Sequence, residues 1–165
     1  MQLLKHIKLV LPVLILVVLS ISCNEDVVSP VIIDYSTKEA REEFQTMKLD
    51  STYTNLLGSE KSEAEADSLY QSWMDFNKEL AQLIRDNNFD WETQDSSIIL
   101  WNRVYCQNDG TIDYYLYYIR DSIVNEKVAE KYGEFIGQHI SEMKYPVNRD
   151  FKYAQCGSYR HKNYD

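Results

Sequence analysis

Along this chain the apolar residues change their spacing several times, and each spacing predicts an element. Leu9 to Ile21 is a nearly unbroken apolar run. Asn24 to Ser36 (NEDVVSPVIIDYS) reads as an extended tether, because Pro30 opposes helix. Thr37 to Lys48 is rich in Glu, Lys and Ala, which predicts a short helix. Asp50 to Gly58 reads as a loop. Ser62-Glu63-Ala64-Glu65 then has the Ser-x-x-Glu form of a capping box. Leu69, Trp73, Phe76, Leu80, Leu83 and Ile84 step by three and four, marking one face of a helix that runs to about Asn87.

The second half changes period. Ser97 to Gln107 (SIILWNRVYCQ) and Thr111 to Ile119 (TIDYYLYYI) are rich in β-branched and aromatic residues, which predicts strands. Asp109-Gly110 between them predicts a hairpin with a type I′ turn, since both residues tolerate positive φ. With that pair at the turn centre, Cys106 faces Asp113. A helix from about Val124 or Asn125 to Met143 comes next, with Val128, Tyr132, Phe135, Ile136, Ile140 and Met143 on its apolar face. Tyr145-Pro146 ends it. Asp150 to Arg160 (DFKYAQCGSYR) reads as a third strand.

These elements predict an α+β fold in one domain over 37–165: two N-terminal helices within 37–90, then a β-β-α-β unit within 96–160. The first strand goes up, the second comes down, and the helix returns the chain so that the third also runs down. A three-stranded antiparallel sheet then requires the order second-first-third. That order places Cys106 and Cys156 on neighbouring strands and leaves the second and third strands as edges.

The start of the chain supplies an address. Lys5, His6 and Lys8 make it basic, and Ser20-Ile21-Ser22-Cys23 follows the apolar run. That run is about 13 residues, the length of a signal-peptide core and short of the roughly 20 that span a bilayer. The segment resembles a bacterial lipobox, with Ser20 where the pattern usually has Leu. The resemblance implies a signal peptide over 1–22, a lipid on Cys23 and a tether over 23–36. An ordinary cleaved signal and an uncleaved anchor are the alternative readings. Asn24-Glu25-Asp26 resembles the surface-export tag of some bacterial lipoproteins. The expected location is the cell envelope, anchored in the outer membrane on its periplasmic or surface face.

Removing the signal takes away two of the 17 basic residues and none of the 26 acidic ones, leaving a net charge of −11. Such a surface repels nucleic acid and anionic headgroups, so the membrane is expected as a partner through the anchor alone. Of the three cysteines, Cys106 and Cys156 remain as a pair once Cys23 is assigned to the lipid. In an oxidising compartment that pair predicts a disulfide; two buried free thiols are the alternative.

Several short motifs recur in a familiar order: Val104-Tyr105, Asp109-Gly110-Thr111-Ile112, Ser122, the Val128-Ala129 helix, and Met143-Lys144-Tyr145-Pro146 before a last strand. Over roughly residues 100–158 this resembles the C-terminal domain of TonB-type energy transducers. Those domains show an aromatic or apolar strand, a Gly-x-Ile hairpin, a Ser-initiated helix and an aromatic-plus-Pro exit. The resemblance implies a β-β-α-β fold and peptide capture by strand pairing. It does not extend to energy transduction: a lipobox replaces the motor-coupled membrane helix, and Pro12, Pro30 and Pro146 do not make a Pro-rich spacer.

Candidate chemistry is sparse. His6, His139 and His161 form no His-x₃-His pair and Cys-x₂-Cys is absent, so no metal or other cofactor is expected. His139 reads as a helix-surface residue and His161 as part of the tail. No Gly-x-Ser-x-Gly occurs, and no cysteine is placed to use a histidine as base. Acid pairs such as Glu42-Glu43 and Glu63 with Glu65 read as solvated helix faces. The chain is therefore read as a non-enzyme.

The 13 tyrosines change the picture. Alternation puts Ile112, Tyr114, Leu116 and Tyr118 on one face of the second strand and Asp113, Tyr115, Tyr117 and Ile119 on the other. One face is expected to bury and the other to show tyrosine to solvent, which makes Tyr115, Tyr117 and Tyr153 candidate binding residues. In the competing reading the N-terminal helices cover that face. Edge strands offer a second route, by accepting an added strand, while Lys152, Arg160 and Lys162 discourage pairing. The functional expectation is a non-catalytic envelope lipoprotein that binds another protein through the edge or face of its sheet. A carbohydrate-binding surface lipoprotein and an immunity-type inhibitor of a toxin are the alternatives.

Overall fold

The computed structural model describes residues 29–58, 61–119 and 124–163. The expected signal segment, Cys23 and Ser122 lie outside the described residues. β1 (Val31–Asp34) comes first, followed by α1 (Lys38–Met47), a 3₁₀ turn (Leu49–Ser51), β2 (Thr54–Asn55) and α2 (Glu63–Asp86). β3 (Ser97–Cys106), β4 (Ile112–Ile119), α3 (Glu126–His139), a second 3₁₀ turn (Ile140–Glu142) and β5 (Tyr153–Lys162) complete the order. Each helix begins on a side-chain cap. Thr37 Oγ1 accepts from the Ala40 N–H, Ser62 Oγ from Glu65, and Asn125 Oδ1 from Val128.

The expected three-stranded antiparallel sheet behind a block of helices is incorrect. The sheet is mixed and five-stranded, in the order β1-β4-β3-β5-β2. β4, β3 and β5 pair antiparallel at its centre. β1 adds parallel to β4, and β2 adds parallel to β5. One strand therefore precedes the first helix, and another lies between the two N-terminal helices. The expected tether contains β1. Val31-Ile32-Ile33 supplies β-branched side chains, and Ile33 buries beside Leu116 and Tyr105. Pro30 sits ahead of the strand, where it interrupts no ladder.

Both faces of the sheet are covered. Ile98, Leu100 and Val104 pack with Trp73, Phe76 and Leu80 of α2 and with Val128 and Tyr132 of α3. On the opposite face Leu49, Tyr53, Tyr105, Leu116 and Ala154 form a second cluster, against which Phe44 and Met47 of α1 pack. The result is three layers: α1 with its turn, the sheet, and the α2–α3 pair. α2 approaches β5 closely because Gly157 has no side chain. A Cβ there would lie 2.7 Å from the Trp73 indole nitrogen.

The hairpin differs from the expected type I′ turn. Gly110 N–H donates to Gln107 O at 3.2 Å, and Gln107 N–H donates to Thr111 O at 2.8 Å. Of Asn108, Asp109 and Gly110, only the glycine has positive φ, at 85°. This is the three-residue loop built on a type I turn and closed by a glycine bulge. The register shifts between Tyr105 and Cys106, so Cys106 faces Ile112 rather than Asp113.

The expected Cys106–Cys156 bridge is not formed, and both thiols are free. Cys106 lies opposite Tyr153, whereas Cys156 lies opposite Arg103. That offset is odd, so the pleat sends the two side chains to opposite faces of the sheet. Cys106 points into the α2–α3 core and Cys156 to the other side, half-buried. Reductant is therefore expected to leave the melting temperature unchanged. Breaking a native bridge would remove about 2–5 kcal/mol and shift the transition visibly. Alkylation of the folded protein should label Cys156 and spare Cys106, whose thiol pKa burial pushes far up.

Candidate functional site

The tyrosines singled out for binding are not on the surface. Tyr115, Tyr117 and Tyr153 are 0, 2 and 0 % exposed. The physical reason is the second layer of helix: α3 and α2 cover the face they occupy, so these three tyrosines form no open aromatic platform. Each hydroxyl is used internally. Tyr117 Oη donates to Ala129 O at 2.9 Å, and Tyr153 Oη donates to Val147 O. Burial pushes both phenol pKa values well up.

Tyr115 belongs to a buried polar chain that crosses the main core. Asn77 Nδ2 donates to Trp73 O at 2.8 Å, and Asn102 Nδ2 donates to Asn77 Oδ1 at 3.0 Å. Tyr115 Oη donates to Asn102 Oδ1 at 2.9 Å and lies 2.9 Å from Tyr132 Oη. The chain joins α2, β3, β4 and α3 in one register, and its members satisfy one another. It is a structural device. The signal in the sequence is Asn77, a polar residue inside the apolar stripe between Trp73 and Leu80.

Carboxylates on the other face are likewise occupied. Asp113 accepts from Tyr53 Oη at 2.5 Å and from Gln107 Nε2 at 2.7 Å. Asp50 accepts from Tyr105 Oη at 2.8 Å and pairs with Arg103. These contacts clamp the first 3₁₀ turn and β2 onto the sheet. Among the described residues no group of three His, Cys, Asp or Glu side chains could hold a metal ion.

His161 lies in β5 opposite Ile98, not in a loose tail. It is 2 % exposed, and neither ring nitrogen has a hydrogen-bond partner among the described residues. Burial lowers its pKa from 6.5 to about 4, so the ring is neutral at pH 7. The Tyr159 ring lies edge-on to it, with ring centroids 4.9 Å apart.

One arrangement with access to solvent, among the described residues, is the outer edge of β5. β2 covers only the start of that edge: Thr54 N–H donates to Lys152 O at 3.0 Å, and Leu56 N–H donates to Ala154 O at 2.9 Å. The even-numbered residues of β5 therefore point their backbone groups outward. After Leu56 the chain turns away, and Gly58 N–H closes onto Asn55 O at 3.3 Å. No strand among the described residues pairs with the outward N–H and C=O groups of Cys156, Ser158, Arg160 and Lys162. At the opposite edge β1 covers four residues of β4.

A shallow groove of about 180 Å³ runs between this edge and α2. Lys78, Ala81 and Arg85 line it from the helix, and Tyr159, Arg160 and Lys162 from the strand. Four of these six are cations and none is an acid, in a chain of net charge −9. The sequence singled out Arg160 and Lys162 only as charges that discourage strand pairing, and it missed Lys78 and Arg85. Their i, i+7 spacing on the polar side of α2 was the available signal.

A wider open cleft of about 910 Å³ lies at the C-terminal end of α2. It mixes acids such as Asp86 and Asp90 with Arg85 and Lys162, and brings together no catalytic set. No family model matches the chain, and neither a curated protein nor a solved structure was found to match it.

Proposed function

We propose that this protein is a non-catalytic, lipid-anchored component of the cell envelope that binds another protein by adding a strand to β5. The observation that carries the reading is the unpaired second half of the β5 edge, where four residues offer outward backbone donors and acceptors beside an open groove. Sheet-face binding loses its basis, because Tyr115, Tyr117 and Tyr153 are buried. The same burial removes the surface on which a carbohydrate platform would rest. The lipid on Cys23 would hold the domain close to a bilayer, since the eight residues from Cys23 to Val31 reach at most about 28 Å. The tether joins β1, and β5 lies on the far side of β4 and β3.

A photo-crosslinking residue tests the edge in cells. Placed at Ser158, exposed on β5, it is expected to give a discrete adduct in the envelope fraction. Placed at Tyr70, exposed on α2 away from the groove, it is expected to give none. Ser158→Pro should abolish capture while leaving the fold intact, because the N–H it removes points outward and not into the β3 ladder. Equal adducts at both positions, or undiminished capture by the proline variant, would refute strand addition. Cys23→Ser should release the protein from the membrane; retention would refute the anchor.

A further inference from the structure

We infer that the strand captured by β5 is an acidic, extended segment of another protein. This rests on strand addition at β5 and names its partner chemistry. The first argument is charge. Lys78 and Arg85 stand on the α2 side of the open edge, and Arg160 and Lys162 stand on the strand itself. A segment laid along β5 would pass among all four. Lys162 makes no salt bridge among the described residues, and Lys78 pairs only with the exposed Asp75 of its own helix. Opposite charges alongside a docking strand attract the right partner and speed encounter, and they lose strength with salt.

The second argument is exclusion. Two copies of this edge cannot pair comfortably, because each would bring Arg160 and Lys162 toward the other's cations. A free phosphate or a lipid headgroup would satisfy the cations but leave the alternating backbone N–H and C=O groups of Cys156, Ser158, Arg160 and Lys162 unmatched. An extended peptide matches both features at once. The edge charges thus keep this edge from self-association and at the same time select the partner.

The test uses the full chain and two synthetic peptides of identical length, Thr-Glu-Val-Glu-Val-Glu-Thr and its counterpart with Gln for Glu. Binding is read by fluorescence anisotropy, and location by amide hydrogen exchange. The Glu peptide is expected to bind about tenfold tighter at low ionic strength, with the gap closing in high salt. It should slow exchange at Ser158 and Arg160. The double variant Arg160→Glu, Lys162→Glu should reverse the preference. Equal binding of the two peptides with the edge amides protected would overturn the acidic preference and leave strand capture standing. No protection by either peptide would overturn strand capture itself. Binding of the Glu peptide without edge protection, or its displacement by millimolar inorganic phosphate or by phosphatidylglycerol vesicles, would overturn the inference in favour of a general anion patch.

Discussion

Gly110→Ala is expected to destabilise the protein by about 3–5 kcal/mol, a large part of the stability of a domain this size. Two costs combine at this position. The residue has φ of 85°, in the left-handed region that an L side chain adopts only with strain. A Cβ placed there would also lie 2.2 Å from Tyr145 O, a backbone atom that cannot swing aside. The hairpin tip is pinned against the segment that follows α3. Tyr145 N–H donates to Gly110 O at 2.9 Å, and Arg149 N–H donates to Asn108 O at 2.8 Å. Lys144 Nζ meets Asp109 Oδ2 at 2.6 Å. Tyr145 itself is buried against Phe76 and Trp73, so displacement of the tip is transmitted into the main core. Urea unfolding monitored by tryptophan fluorescence measures the loss. Gly58→Ala is the control: its new methyl would meet only Asn55 O, at 3.5 Å, with an effect within about 0.5 kcal/mol. Similar midpoints for the two variants would show that the hairpin tip yields freely.

Acid is expected to weaken the fold through His161 well before it titrates the carboxylates. The pKa of this ring falls from 6.5 to about 4 on folding, with burial as the cause. Between those values the unfolded chain binds a proton that the folded chain refuses, so stability is full above pH 6.5 and declines as pH drops toward 4. The depression corresponds to roughly 3 kcal/mol by pH 4. His161→Leu is expected to remove this slope. It should cost nothing at pH 7, because it replaces two unpartnered ring nitrogens with hydrocarbon of similar volume. Chemical denaturation of both proteins at several pH values between 7 and 4 checks it. Parallel pH profiles would assign the acid sensitivity to other groups. Asp109 acts in a lower window: its contacts with Lys144 and Thr111 hold its pKa at about 2, so what it contributes is lost only below pH 3.8.

How legible each element was depends on how much of it is local. α2 could be read directly, because its stripe from Leu69 to Ile84 repeats at helical spacing and Ser62 caps it. β3 and β4 could be read from β-branched and aromatic runs long enough to show a period, and β5 from a shorter stretch whose aromatics are Tyr153 and Tyr159. β1 has four residues and β2 two, too few for any periodicity to register, and each pairs with a strand distant in sequence. Their parallel pairing is a choice among sheet edges that exist only after the central strands have assembled. Gly110 announced a turn, but not the segment after α3 that pins its tip through Tyr145 and Arg149.

The candidate sites divide in the same way. Alternation in β4 separated Tyr115 and Tyr117 from Leu116, and the two groups bury in different clusters, but Ile112, expected on the Leu116 face, joins the tyrosines. It could not establish that helices cover both faces, because that depends on where α1 and α3 dock. The cysteine pair failed on parity: neighbouring strands were not enough, since a three-residue offset in a two-residue period turns the thiols apart. Asn77 was visible as an oddity in its stripe, but its partner Asn102 sits 25 positions away.

What the sequence determined by itself is what short-range chemistry determines: helix starts, strand-forming runs, a turn and an acidic composition, beside an N-terminal segment that resembles a lipobox. The tertiary structure decided which faces are buried, which thiols can meet, and which backbone edge stays unpaired. It also gathered Lys78 and Arg85 from one element and Arg160 and Lys162 from another into one groove. Local propensity acts over a few residues, whereas burial, register and charge clustering are properties of surfaces that distant segments make only when they pack together.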